Sequence, residues 1–303
     1  MKSVSVTLAC VAALTAATAP VFAKTRPQAA PAAAPAAPAA PTGPTGPGEG
    51  DWRTPDPQNV LVIDTSKGRI LVELEPLAAP LHVQRVKELA RAHFYDGLTF
   101  FRVLEGFMDQ TGDPNNNGTG GSDKPNLPPE FMFRRGADTP FVSVGRGAGT
   151  EWGFLNSMAV VSQPMDLAMM TADHKVAAFG PFCQGVIGAA RAEDPASANS
   201  QFYLMRDPAH SLDQKYTAFG AVISGLDVVR AIKAGPDPSG AVPDPKDSMT
   251  TVRVLADLPE AQRPKVRVLD PRGPWFQVLA AKARKDKVIE LGPCDVDLIS
   301  EVK

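Results

Sequence analysis

The sequence predicts a mainly β fold, in which short strands form an antiparallel barrel or sandwich with two helices packed on it. The first observation is a pair of apolar runs at 60–63 and 69–74, separated by the turn residues 65–68, which is typical of a hairpin. The second is that several more short runs of this kind follow between turn-forming residues. The third is that helical spacing occurs among these strands in only two segments, 77–93 and 226–234.

Local sequence patterns predict the individual helices and strands. In the first helix, Val83, Val86 and Leu89 recur at helical spacing, and Pro80 lies in the first turn, where proline is tolerated. The remaining strands are predicted where apolar residues lie between turns, at 99–103, 186–190, 201–205, 219–223 and 250–255.

Two stretches of the chain fit this pattern poorly. Residues 124–184 are rich in methionine and lack long periodic runs, so we predict a loop-like insertion on the barrel. Residues 259–303 form a C-terminal extension, with a strand predicted at 265–269 and a helix at 275–283.

The N-terminus predicts export. Residues 1–23 carry a charged Lys2, an apolar run, and small residues at the two positions that a signal peptidase reads in Val21-Phe22-Ala23. Residues 24–58 follow as a Pro/Ala-rich linker, a composition that favours extended polyproline II and cannot form a core. We therefore expect a periplasmic or secreted protein.

Charge and cysteine content exclude several classes of function. The formal net charge is −2, without a block of five or six like charges, so we expect no nucleic-acid partner. No stretch after the signal reaches about 18 apolar residues, so we expect no membrane span.

Export would leave Cys183 and Cys294, which either pair in an oxidising compartment or stay as thiols. Because the chain has neither CxxC nor a Cys/His cluster, we expect neither redox catalysis nor zinc binding. We also expect no other metal or cofactor.

One segment places an arginine among large apolar residues. Strand alternation puts Arg102 on the face opposite Phe101 and Val103, so Arg102 faces outward if those two residues face the core. Phe107 and Met108 could then line the same surface. A guanidinium above an apolar patch suits a ligand that is apolar but carries carbonyls, such as a peptide. A solvated strand arginine beside ordinary core residues is the alternative.

Three stretches, FFRVLEGFMDQTGDP at 100–114, SQFYL at 200–204 and LDQKYTAFG at 212–220, resemble the cyclophilin family of peptidyl-prolyl cis–trans isomerases. The resemblance covers residues 59–258. It implies a closed eight-stranded antiparallel β-barrel capped by two helices, and an enzyme that isomerises X-Pro bonds without a cofactor. We expect a monomer whose partners are proline-containing peptides and unfolded exported proteins.

The resemblance also implies roles for individual residues. Arg102 matches the catalytic arginine, and Gln110 is predicted to assist it. The residues that match the substrate groove and its rim are Phe107, Met108, Ala190, Arg191, Gln201, Phe202, Tyr203, Leu212 and Tyr216.

Three positions depart from the family pattern. Tyr203 stands where a phenylalanine usually forms the base of the proline pocket, and Tyr216 replaces a histidine. Ser211 occupies the position of a tryptophan in cyclosporin-sensitive members, so we expect weak cyclosporin binding. Because Tyr203 and the long insertion could alter the groove, a low-turnover chaperone or peptide-binding module stays open as the alternative function.

Overall fold

The computed structural model describes residues 46–147, 149–286 and 292–302. The predicted signal peptide at 1–23 and the part of the predicted linker up to residue 45 lie outside the described residues. Within the described ranges, no helix has both the length and the apolar character needed to cross a membrane.

The described residues form three α-helices and sixteen strands, numbered here in chain order. The helices are α1 (Pro80–Arg91), α2 (Leu226–Ala231) and α3 (Pro274–Asp286). The strands are β1 (Trp52–Arg53), β2 (Val60–Thr65), β3 (Gly68–Leu74), β4 (Arg102–Leu104), β5 (Met108–Thr111), β6 (Phe133–Arg135), β7 (Phe141–Gly147), β8 (Thr150–Leu155), β9 (Met158–Ser162), β10 (Val176–Phe179), β11 (Val186–Ala189), β12 (Phe202–Met205), β13 (Ala218–Ser224), β14 (Met249–Val254), β15 (Val266–Leu269) and β16 (Ser300–Val302).

The main sheet has eight antiparallel strands in the order β14-β2-β3-β13-β11-β12-β5-β4. It is a curled half-barrel, and the predicted closed barrel is therefore corrected: its end strands, β4 and β14, do not form a ladder with each other. The outer edge of β4 is already occupied, since Val103 N–H donates to the carbonyl of Gly240 at 2.8 Å and Val242 N–H to that of Phe101 at 3.0 Å. The two ends of the sheet meet instead at an isolated bridge between Thr99 and Ser248.

A contiguous core fills the concave side of this sheet. The predicted first helix appears as α1, and the apolar stripe that predicted it, Val83, Val86 and Leu89, is buried against the sheet. The core also takes Val103 of β4 and Phe202 of β12. Because β4 and β12 each turn one side of the strand into this core, the alternate residues face outward.

Residues 124–184 differ from the predicted loop-like insertion. They contain a five-stranded antiparallel sheet in the order β6-β10-β9-β8-β7. Its long strands bury Trp152 and Phe154 in a second apolar cluster together with Phe276 of α3. In two of the five strands glycines interrupt the apolar runs and hide the strand pattern: Gly145 lies inside β7 and Gly153 inside β8.

The predicted linker at 24–58 is also corrected at its C-terminal end. Trp52 and Arg53 form β1, which pairs antiparallel with β15 of the C-terminal extension. The extension contains the predicted strand and helix as β15 and α3. A disulfide between Cys183 and Cys294 joins it to the segment that precedes β11.

Candidate functional site

Strands β4, β5 and β12 bring the predicted site residues onto one face of the sheet. Arg102 lies opposite Gln110, and Tyr203 pairs with Gln110 on its other side. Residues that pair directly across antiparallel strands share a face, so these three side chains point the same way. Met108, two residues before Gln110, joins them.

The Arg102 guanidinium is held from two sides. Its Nε donates to the carbonyl of Ser239 at 3.1 Å, and its Nη1 donates to Gln110 Oε1 at 3.3 Å. No carboxylate pairs with it among the described residues, and Nη2 has no acceptor there. Partial burial lowers the pKa of Arg102 from its ordinary value, but an arginine keeps its charge in proteins. The site therefore contains an oriented cation with a donor available to a ligand.

A chain of amide hydrogen bonds orients Gln110. Its Nε2 donates to Gln201 Oε1 at 2.9 Å, and Gln201 Nε2 donates to the carbonyls of Gly118 and Gly120 at 3.2 and 2.7 Å. The glycine loop is held in turn by the buried Asp113, whose carboxylate accepts from three backbone N–H groups of residues 115–118. Gln110 thus presents its carbonyl oxygen to Arg102.

An apolar groove with a volume of about 190 Å³ lies beside Arg102. Its lining brings together most of the predicted residues: Arg102, Phe107, Met108, Gln110, Ala190, Arg191, Tyr203, Leu212 and Tyr216. Gln201 lines an adjoining cavity of about 340 Å³ with the 118–121 loop, Ala190 and Arg191. Two concave spaces, one more apolar and one more polar, therefore adjoin each other and share Gln110, Ala190 and Arg191 in their linings.

Phe202 was predicted in the groove, and the structure corrects this. Its ring is buried in the main core, where it makes an edge contact with Tyr95 at 5.5 Å between ring centroids. The reason is strand alternation: Phe202 pairs with Thr111, whereas its neighbour Tyr203 pairs with Gln110. Because Tyr203 faces the groove, Phe202 must face the opposite side.

Tyr203 forms the floor of the groove. Its ring stacks on that of Phe182, with 5.8 Å between the ring centroids, and contacts the ring of Tyr216 edge-on, with 6.2 Å between the centroids. Its hydroxyl is buried and has no hydrogen-bond partner among the described residues. Burial, with a contribution from the nearby Tyr216, raises the pKa of Tyr203 well above the ordinary value of a phenol. The floor is therefore a neutral aromatic surface.

Sequence reasoning missed several residues that support the site. The Ser239 carbonyl that holds Arg102 lies in a Pro- and Gly-rich loop, where only a turn could be read from the sequence. Phe182, which supports Tyr203, precedes a strand and carries no motif. Phe131, at the start of the inserted region, lies 5.7 Å from the Arg191 guanidinium. These contributions come from backbone position or from distant parts of the chain.

Comparison with known proteins shows which family the chain is similar to. The family model for "Cyclophilin type peptidyl-prolyl cis-trans isomerase/CLD" matches residues 60–254. A probable peptidyl-prolyl cis-trans isomerase of Brucella suis biovar 1 is 33% identical over 214 residues, covering 67% of this chain and 85% of that protein. The crystal structure of cyclophilin AquaCyp293 from Hirschia baltica has a TM-score of 0.74 at 31% identity, covering 83% of this chain and 93% of that one.

The chain therefore belongs to the family of cyclophilin-type peptidyl-prolyl cis–trans isomerases. The resemblance predicted from the sequence is confirmed. The activity that accompanies this membership is the cis–trans isomerisation of peptide bonds that precede proline.

Proposed function

We propose that this protein accelerates X-Pro isomerisation during the folding of exported proteins, with Arg102 as the catalytic donor. The observation that carries the proposal is the oriented, carboxylate-free Arg102 guanidinium beside an apolar groove. The export of its substrates rests on the signal-like residues 1–23.

The reaction makes and breaks no covalent bond. Amide resonance holds the X-Pro bond with a barrier of about 18–20 kcal/mol, and uncatalysed exchange takes roughly tens to hundreds of seconds. As the bond twists, resonance is lost and a lone pair localises on the prolyl nitrogen. A donor placed at that nitrogen binds the twisted form better than either planar form, and only such differential binding lowers the barrier.

Arg102 is suited to this task because it is always charged and its donors lie in a rigid plane. Ser239 and Gln110 hold Nε and Nη1, which leaves Nη2 for the prolyl nitrogen. Met108, Phe107 and Leu212 line the space for the proline ring and exclude water, which strengthens the hydrogen bonds inside. Stabilising the twisted form by about 7 kcal/mol would accelerate exchange about 10⁵-fold.

The decisive experiment compares Arg102→Ala and Arg102→Lys with the unmodified protein in a protease-coupled assay on a prolyl peptide. We expect Arg102→Ala to fold normally and lose at least about 100-fold in kcat/KM, the usual effect of removing one donor to a transition state. Arg102→Lys should recover little, because an ammonium lacks the planar fork. Arg272→Ala, which removes an exposed arginine paired with Asp270, is the matched control and should keep full activity.

The same variants test the alternative of a low-turnover chaperone. If the unmodified protein and Arg102→Ala are equally inactive on the peptide but both suppress the aggregation of an unfolded protein, the binding module replaces the enzyme. Near-normal turnover by Arg102→Ala would remove Arg102 from the mechanism.

A further inference from the structure

Arg191 lies on the rim of the groove, where it could be taken for a ligand-binding cation. Its side chain is instead engaged within the protein. Nε and Nη2 donate to the carbonyl of Lys215 at 3.2 and 3.0 Å, and Nη1 donates to the carbonyls of Ala192 and Glu193 at 2.7 and 3.1 Å. Four hydrogen bonds thus occupy most of the five N–H groups that a guanidinium offers.

These bonds join two loops that border the groove. Ala192 and Glu193 follow β11, whereas Lys215 belongs to the turn before β13. The Arg191 guanidinium also lies over the ring of Tyr216, 4.4 Å from its centroid. Tyr216 lines the groove and contacts the floor residue Tyr203. Arg191 therefore restrains both the backbone and the ring of one groove wall.

The inserted region contacts the same guanidinium. The Phe131 ring lies 5.7 Å from it, and the preceding residue, Glu130, is fixed at both its backbone and its side chain. Glu130 N–H donates to Thr217 Oγ1 at 3.1 Å, and its carboxylate accepts from the N–H groups of Leu81 and His82 at the start of α1. Phe131 consequently approaches Arg191 from a well-anchored part of the insertion.

We propose that Arg191 is a positioning residue, which holds Tyr216 as a wall of the proline groove and connects this wall to Phe131 of the insertion. It acts on the substrate through Tyr216 and the 190–194 and 213–217 loops rather than by direct contact. The proposal rests on the proposed function, because the position of Tyr216 matters to isomerisation only if the groove receives the prolyl substrate.

The three tyrosines of the chain provide a direct measurement. Incorporation of 3-fluorotyrosine gives ¹⁹F NMR resonances for Tyr95, Tyr203 and Tyr216, and Tyr216→Phe assigns the last. Tyr95 is buried in the main core and donates to the carbonyl of Ser200, so it serves as an internal reference. The kinetic measurement is kcat and KM for a prolyl peptide, together with its dissociation constant.

In Arg191→Ala we expect the Tyr216 resonance to move toward that of free fluorotyrosine while the Tyr95 resonance stays unchanged. KM and the dissociation constant should rise about five- to tenfold, and kcat should stay within about twofold, because a ring contact and several modest hydrogen bonds are lost. Arg191→Lys should recover less than half of this loss, and Phe131→Ala should change the Tyr216 resonance in the same direction by a smaller amount.

Arg263→Ala is the matched control. Arg263 also donates from Nε and Nη2 to backbone carbonyls, those of Leu258 and Ala256, but it lies outside the groove lining. Arg263→Ala should change neither the Tyr216 resonance nor the kinetic and dissociation constants for the prolyl peptide.

Three results with Arg191→Ala would overturn the proposal. Weaker peptide binding with an unchanged Tyr216 resonance would make Arg191 a direct ligand contact. A shifted Tyr216 resonance with unchanged binding would show that the position of Tyr216 is irrelevant to the substrate. No change in the resonance or in binding would remove the positioning role.

An unchanged Tyr216 resonance in Phe131→Ala would remove the insertion from the proposal. If Arg102→Ala proved fully active, the catalytic assignment would fail, while the NMR and binding results would still decide the role of Arg191.

Discussion

The ring of Tyr203 lies so close over Gly188 that any side chain at that position would have to displace the ring. A Cβ at Gly188 would stand 2.6 Å from Tyr203 Cζ and 2.6 Å from Phe182 Cε1, well inside van der Waals contact. Gly188 and Tyr203 pair directly across β11 and β12. The absence of a side chain at Gly188 therefore determines how deep the aromatic floor of the groove lies.

Gly188→Ala should push the Tyr203 and Phe182 rings outward and make the groove shallower. We expect the free energy of unfolding to fall by about 1–3 kcal/mol, the usual cost of overpacking, and KM for a prolyl peptide to rise. Denaturant unfolding and the peptide assay measure the two effects. Gly50→Ala is the control, since a Cβ there meets nothing within 4 Å. Unchanged stability and KM in Gly188→Ala would contradict this account of the floor.

Removing the Tyr203 hydroxyl should stabilise the protein. The hydroxyl is buried without a partner, and a buried polar group left unpaired costs roughly 1–3 kcal/mol. In Tyr203→Phe we expect the free energy of unfolding to rise by about 1 kcal/mol, with kcat/KM within about twofold of normal. A loss of stability, measured by denaturant unfolding, would mean that the hydroxyl has a partner in solution.

Glu75 should make stability depend on pH. Burial is the main cause that raises its pKa to about 7, and the charge of Glu73 adds to it, whereas bonds from Asn156 and Leu77 act in the opposite direction. The folded protein therefore holds a proton on Glu75 that the unfolded chain releases above its ordinary pKa near 4.5. The free energy of unfolding should fall as pH rises from about 4.5 to about 7, by at most roughly 3 kcal/mol.

The matched variant for this effect is Glu75→Gln, which cannot titrate. The difference in unfolding free energy between the two proteins, measured from pH 4.5 to pH 8, should grow in favour of the variant as pH rises. A constant difference would show that Glu75 keeps its ordinary pKa.

The Cys183–Cys294 disulfide should contribute strongly to stability. It closes a loop with a sequence separation of 111 residues, and in the chain-entropy model such a cross-link stabilises by roughly 4–5 kcal/mol. Replacing both cysteines by serine should lower the free energy of unfolding by about this amount. A reductant should destabilise the unmodified protein and leave the variant unaffected. Two free thiols in the non-reduced protein, counted by alkylation and mass, would contradict the pairing.

Much of the main sheet could be predicted because its signals are local. The hairpin of β2 and β3 has apolar runs on both sides of a short turn, and α1 has a clean apolar stripe. The faces of β4 could also be predicted, since alternation separates Arg102 from the core residue Val103. The same alternation, applied to β12, would have placed Phe202 in the core and Tyr203 in the groove.

The inserted sheet could not be predicted in the same way. Its strands contain Gly145, Gly153 and the polar Glu151, whose carboxylate is buried against Arg135 at 2.7 Å. Burial of a charged residue depends on a partner sixteen positions away, which a local pattern does not show. The hydrogen bond that Arg102 Nε donates to the backbone carbonyl of Ser239 likewise joins residues 137 positions apart.

The pairing of β1 with β15 has a consequence for where the chain can be cut without exposing apolar surface. Both strands lie outside the family-matched residues 60–254, yet Val266 and Val268 of β15 cover Val60, Val62 and Leu71 on the outer side of the main sheet. A protein cut to the matched residues would leave these side chains facing water. The unit that packs together is thus larger than the segment that the family model matches, and a shortened protein would have to keep both β1 and β15.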